Sequence, residues 1–249
     1  MQYFGEIQTK YEELFLTQSY LYFNENEEDT ISPKELKQLL KTTKDRKKNI
    51  IGTIFIYNPT VTPLGFDSNK YLLDQGFEDF DELIELKVES YITVFKQAMK
   101  EHCKGKIVEI RNLFNLIEKN IDSSLLLQKF EADIDKYYSG QNTEFERDIM
   151  YLDVQNLIPS GKFVYLAWGE KINAKDFPKI EEYAKTIYDN CVKLGKNVAF
   201  VYKKEKTKDE SIKYLQFAHP EQNFKNKSAI SFAMKKSFDI FPPIPSFYE

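Results

Sequence analysis

The sequence predicts an α/β protein: three layers, α/β/α, around a central, mostly parallel sheet, with a helical extension at the N-terminus. Three observations predict it. Four largely apolar runs each end on a polar or turn-forming element: Ile54-Phe-Ile-Tyr-Asn-Pro-Thr60, Ile107-Val-Glu-Ile-Arg-Asn-Leu-Phe114, Phe163-Val-Tyr-Leu-Ala-Trp-Gly169 and Tyr214-Leu-Gln-Phe-Ala-His-Pro220. Runs of this kind read as strands buried on both faces, the habit of parallel sheets. Segments with helical spacing separate the runs, and Pro, Gly and Asn mark the joints. Strand and helix alternating in this way give a sheet with helices on both sides.

Residues 1–48 read as a charged helical extension. The clearest sign is Ser32-Pro-Lys-Glu-Leu-Lys-Gln-Leu-Leu40, with Ser at the N-cap, Pro in the first turn and Glu35 at the capping-box position. The α/β domain then runs over 49–249, with a C-terminal tail from about 225. Its first strand is expected at 49–57, followed by a loop containing Pro59, Pro63 and Gly65 and by helical spacing over 80–100. A second strand is expected at 106–110, helices at 124–138 and 143–157, and a third strand after Pro159-Ser-Gly161. Asp176-Phe-Pro178 opens a helix that Gly195 ends, and 197–202 with 214–217 complete the sheet.

Composition bounds the function. The chain has 249 residues, 42% hydrophobic and 15% aromatic, with 20 Phe and 16 Tyr, which is enough for one generous core despite 30% charge. No stretch approaches the ~20 apolar residues of a membrane span, and the first residues lack the pattern of a secretory signal, so a cytoplasmic protein without membrane partners is expected. Cys103 and Cys191 stand alone, without the spacing of a disulfide framework or zinc site; no metal or cofactor is expected. Phosphate-loop, dinucleotide and hydrolase-elbow motifs are absent.

A net charge of −4 argues against a protein that coats duplex nucleic acid. The basic stretches 41–48 and 203–208 read as solvated faces. Lys225, Lys227, Lys235 and Lys236 follow directly on the His-Pro element and are candidate phosphate contacts.

The four strand ends, taken in order, resemble the uracil-DNA glycosylase-like superfamily. Its first strand ends in Asn/Asp-Pro, its second in Asn and its third in Leu-x-Trp-Gly, and a late His-Pro follows. Here Asn58-Pro59-Thr60, Asn112-Leu113-Phe114, Trp168-Gly169 and His219-Pro220 fill those places, over roughly residues 49–224. The pattern looks closest to a bacterial and phage group within it, domain-of-unknown-function family 1643.

The resemblance implies a nucleobase-binding protein and, for the DNA-repair members, a hydrolase that cleaves the N-glycosidic bond. Such an enzyme holds an unstacked base in a pocket and positions water at the sugar. Asn58 then resembles the residue that positions water, and His219 the one that stabilises charge on the departing base. Asn112 resembles the reader of the base edge, since one amide both donates and accepts, with Asn115 as its fallback. Phe66 and Trp168 stand where aromatics line the pocket. Each has a purely structural alternative: turn residues for Asn58, Asn112 and His219, core packing for the two aromatics.

The implied partner is a nucleobase, nucleotide or single-stranded nucleic acid. Two departures keep a second class open. Tyr57-Asn-Pro-Thr60 lacks the acidic residue of the typical uracil-excising enzymes, and Glu221 follows His219-Pro220 where a phosphate would be gripped. A non-catalytic sensor or protein-interaction role, for example in phage–host conflict, fits the same residues.

Overall fold

The computed structural model describes residues 1–10, 13–26, 28–57, 83–88, 92–93, 95, 103–117, 123–138, 158–168, 176–203, 217 and 246–248. Their strands are β1 (Gln2–Lys10), β2 (Glu13–Phe23), β3 (Ile50–Ile56), β4 (Leu83–Leu86), β5 (Lys106–Asn112), β6 (Phe163–Ala167), β7 (Asn197–Lys203) and β8 (Ser246–Tyr248). The helices are α1 (Pro33–Leu39), α2 (Thr43–Asn49), α3 (Ser123–Tyr138) and α4 (Pro178–Lys193).

The sheet order is β4-β1-β2-β5-β3-β6-β7-β8. From β5 to β8 the neighbours are parallel; β4, β1, β2 and β5 pair antiparallel. The sheet is therefore mixed, which corrects the mostly parallel expectation. The cause lies in the first 23 residues. They were expected to be helical, but they form a β-hairpin with a register shift at Glu6/Ile7 that builds half of the antiparallel part.

Aromatic and β-branched residues such as Tyr3, Phe4, Ile7, Phe15, Thr17, Tyr20 and Tyr22 favour strands, and burial on both faces hides their period of two. Within the 1–48 segment the described helices are only α1 and α2, both beginning in its second half. Leu83–Leu86, expected within a helical stretch, is the edge strand on β1.

Alternation splits the core between two faces. One face carries Ile54, Ile56, Val108, Ile110, Tyr165, Ala167 and Ala199, packed with Ile92, Phe95 and Cys103. The other carries Phe55, Val164, Leu166, Val198 and Phe200 under α3 and α4. Near the hairpin this second face is covered by Leu36 of α1 and by Leu40, which meet Phe4, Tyr20 and Ile107.

In α4, Ile180, Tyr183, Ala184, Ile187 and Cys191 form one buried stripe at helical spacing. Phe177 offers α4 no side-chain cap. The carboxylate of Glu131 on α3 serves instead, accepting the backbone N–H groups of Lys179 (2.9 Å) and Ile180 (3.0 Å). A negative group at that end also suits the helix dipole. Before β6, Gly161 turns the chain with φ +69°, and a Cβ there would land on the backbone of Ile51. No helix among the described residues is long and apolar enough to cross a membrane.

Candidate functional site at the carboxyl edge

The five parallel strands lie in the order second, first, third, fourth, fifth of their sequence: β5, β3, β6, β7, β8. From β3 the chain first adds β5 on one side, then crosses to add β6 on the other. In open α/β sheets the carboxyl ends of the strands at such a reversal are where ligands bind.

Register fixes what stands there. Ile56 at the end of β3 pairs with Asn112 at the end of β5 and with Ala167 at the end of β6. Tyr57 and Trp168 follow as the next residues. The chain beyond β5 stays docked on β3, with the Leu113 N–H donating to the Ile56 carbonyl (2.8 Å) and that of Phe114 to the Tyr57 carbonyl (3.0 Å).

Asn112 lies on the face of Ile56 and Ala167 and is 2% exposed. Its Oδ1 is buried and has no hydrogen-bond partner among the described residues. None of the N–H groups of residues 113–117 that follow donates to it. Leaving such an acceptor unmet costs about 1–3 kcal/mol. The Tyr57 hydroxyl is a second buried atom at this edge without a partner among the described residues. Burial pushes its pKa above the ordinary tyrosine value, so it is a neutral donor. The Tyr57 ring meets the rings of Phe114 (5.7 Å) and Phe130 (6.5 Å) edge-on.

Trp168 shares the edge with Asn112 but not the face. Its ring is 1% exposed and packs on Phe55 (6.4 Å) and Phe217 (5.4 Å), within the core under α3 and α4. Asn115 is buried three residues past β5, where its carbonyl accepts from the Leu16 N–H (2.8 Å) and ties the segment to the hairpin. Asn58, Phe66, His219, Lys225, Lys227, Lys235 and Lys236 lie outside the described residues.

A polar group that sequence reasoning passed over lies on the opposite face of β5. Glu109 is buried, and its carboxylate accepts from Arg111 Nη2 (3.0 Å), from the Thr53 hydroxyl (3.1 Å) and from the Ser160 N–H (3.4 Å). Burial would push its pKa up. The Arg111 charge and the three hydrogen bonds outweigh this and hold it below the ordinary carboxylate value. Glu and Arg two apart on a strand must share a face, so Glu109-Ile-Arg111 was the available signal.

Burial pushes the Cys103 and Cys191 thiols up to about 12, which leaves both un-ionised at neutral pH. No group of three or more His, Cys, Asp or Glu among the described residues is placed to hold a metal ion. Comparison with known proteins gives no matching family model, no matching curated protein and no matching solved structure.

Proposed function

We propose that the chain binds a nucleobase at the carboxyl edge of its sheet, in the manner of the uracil-DNA glycosylase-like fold that its motif order resembles. The observation that carries this reading is the buried Oδ1 of Asn112, without a hydrogen-bond partner among the described residues, beside the point where the strand order reverses. An imide or amide N–H on a base edge is the donor that this oxygen lacks, while the amide nitrogen can give a hydrogen bond to the neighbouring base carbonyl. Buried recognition of this type discriminates strongly, because a ligand without the N–H leaves the oxygen unmet.

On this reading the activity is N-glycosidic cleavage on single-stranded DNA, a modified base or a nucleotide. Asn58 positions the water and His219 steadies charge on the departing base. A neutral amide orients water but removes its proton poorly, so turnover is slow. The test is release of free base from uracil-, hypoxanthine- and alkyl-base-containing oligonucleotides and from nucleotides. Wild type should release base, Asn58→Ala should not, and His219→Ala should be slower by about 10²-fold.

A second reading is a sensor or interaction protein that keeps the base pocket without the chemistry. The missing acid at Tyr57-Asn-Pro-Thr60, Glu221 after the His-Pro element and the net charge of −4 favour it. Base binding without release from any substrate would select it.

A further inference from the structure

A cleft of about 470 Å³ opens between α1, α2 and the β1–β2–β4 end of the sheet. It shares no lining residue with the carboxyl edge, and its volume is that of a small-molecule pocket. Tyr20, Leu40 and Leu83, all buried, give it an apolar floor. Lys34 and Lys37 of α1, Lys41 just after it, and Arg46 of α2 give it a cationic rim. Among the described lining residues Glu6 is the carboxylate, and it already accepts from Gln8 Nε2 (3.2 Å) and the Thr17 hydroxyl (3.3 Å).

Lysines on an exposed helix are ordinarily a solvated face. Two features set these apart: they rim a concavity with an apolar floor, and the Arg46 guanidinium is fixed. Its Nε donates to the Leu40 carbonyl (3.2 Å), and its Nη2 to Gln18 Oε1 (3.2 Å) and the Tyr20 hydroxyl (3.1 Å). All three acceptors are neutral, so among the described residues no carboxylate neutralises the charge while the group is held in place. Those bonds use the Nε and Nη2 hydrogens and leave the two Nη1 donors, which with the flanking ammonium groups suit the oxygens and double charge of a phosphate monoester.

We propose that this cleft binds a small phosphorylated molecule with a ring-sized apolar body, the body resting on Tyr20, Leu40 and Leu83 and the phosphate meeting Lys34, Lys41 and Arg46. This site is independent of the nucleobase reading. Calorimetric titration of the full chain with phenyl phosphate tests it, with inorganic phosphate and phenol as controls lacking the body and the charge. Phenyl phosphate should bind more tightly than either control. The double variant Lys34→Gln/Lys41→Gln should bind it about tenfold more weakly, the scale for two partly solvated charges. The double variant Lys34→Arg/Lys41→Arg should bind as wild type does, which separates lost charge from lost fold. No binding of phenyl phosphate, equal binding of inorganic phosphate, or unchanged affinity in the Gln variant would overturn the proposal. So would a single-stranded oligonucleotide that competes with phenyl phosphate and binds more tightly than it, since the site would then serve a polymer.

Discussion

Glu109 and Arg111 stand two residues apart on β5 and meet at 3.0 Å on the sheet face opposite Asn112. With Thr53 and Ser160 they tie β5 to β3 and to the turn before β6, the strands on either side of the point where the strand order reverses. Removing one partner of a buried pair leaves the other charge uncompensated. Glu109→Gln should cost about 3 kcal/mol, the low end for such pairs, because the Arg111 side chain remains 26% exposed. Urea unfolding of the variant and wild type measures this.

The same pair sets a pH dependence. The folded-state pKa of Glu109 lies below its ordinary value. Its contribution is therefore fully present above the ordinary carboxylate pKa and is lost as pH falls through the lowered one. The stability difference between wild type and Glu109→Gln should shrink as pH falls below about 4. Melting curves across the acid range check this; a difference that stays constant would assign the stabilisation to shape rather than charge.

Glu131→Ala removes the cap that α3 supplies to α4. The expected loss is about 0.5–2 kcal/mol, the range for an N-cap. Glu131→Gln should recover part of it, since an amide oxygen still accepts while the charge facing the helix dipole is gone. Thermal melts of the three proteins give the order wild type, Gln, Ala.

Much of this architecture was legible in the sequence, and what was not has physical causes. The strands ending at Ile56 and Ala167 were legible as continuous apolar runs, and the one ending at Asn112 from the Ile and Val around Glu109 and the Asn that closes it. α4 was legible from Pro178 at its start and Gly195 beyond its end. The hairpin was hidden because Phe4 and Tyr20 are buried on one face while Tyr3 and Leu21 are buried on the other, which leaves no apolar–polar alternation to read. The capping box at Ser32 and Glu35 is real, but it marks one short helix and not the 31 residues before it. At the candidate site, Asn112 was reached through the strand end, whereas Tyr57 looked like part of the apolar run, and that its hydroxyl has no partner among the described residues follows only from packing. The cationic cleft joins α1 and α2 to the hairpin, a contact that no local pattern encodes.

Gly161→Ala should destabilise the fold by more than about 1 kcal/mol, because a positive φ and the Ile51 backbone both oppose a Cβ. The loss should appear as faster unfolding or a lower urea midpoint. A substitution without effect would mean that the turn into β6 can relax away from β3.

A buried polar atom without a hydrogen-bond partner is a cost to the folded protein. Tyr57→Phe removes a hydroxyl without a partner among the described residues and should leave the melting temperature unchanged or higher. Asn112→Leu, which replaces the amide by an apolar group of similar size, should behave likewise. A marked loss of stability in either would show that the group is satisfied in the folded chain.

The most direct test is a crystal structure of the protein soaked with uracil, hypoxanthine and their nucleotides, in wild type and in Asn112→Leu. The expected result is a base at the carboxyl edge of β3 and β5 with a ring N–H within hydrogen-bond distance, about 2.7–3.2 Å, of Asn112 Oδ1, and no base in the variant. An empty edge in wild type under every soak, or a base bound equally well when Asn112 is Leu, would contradict it.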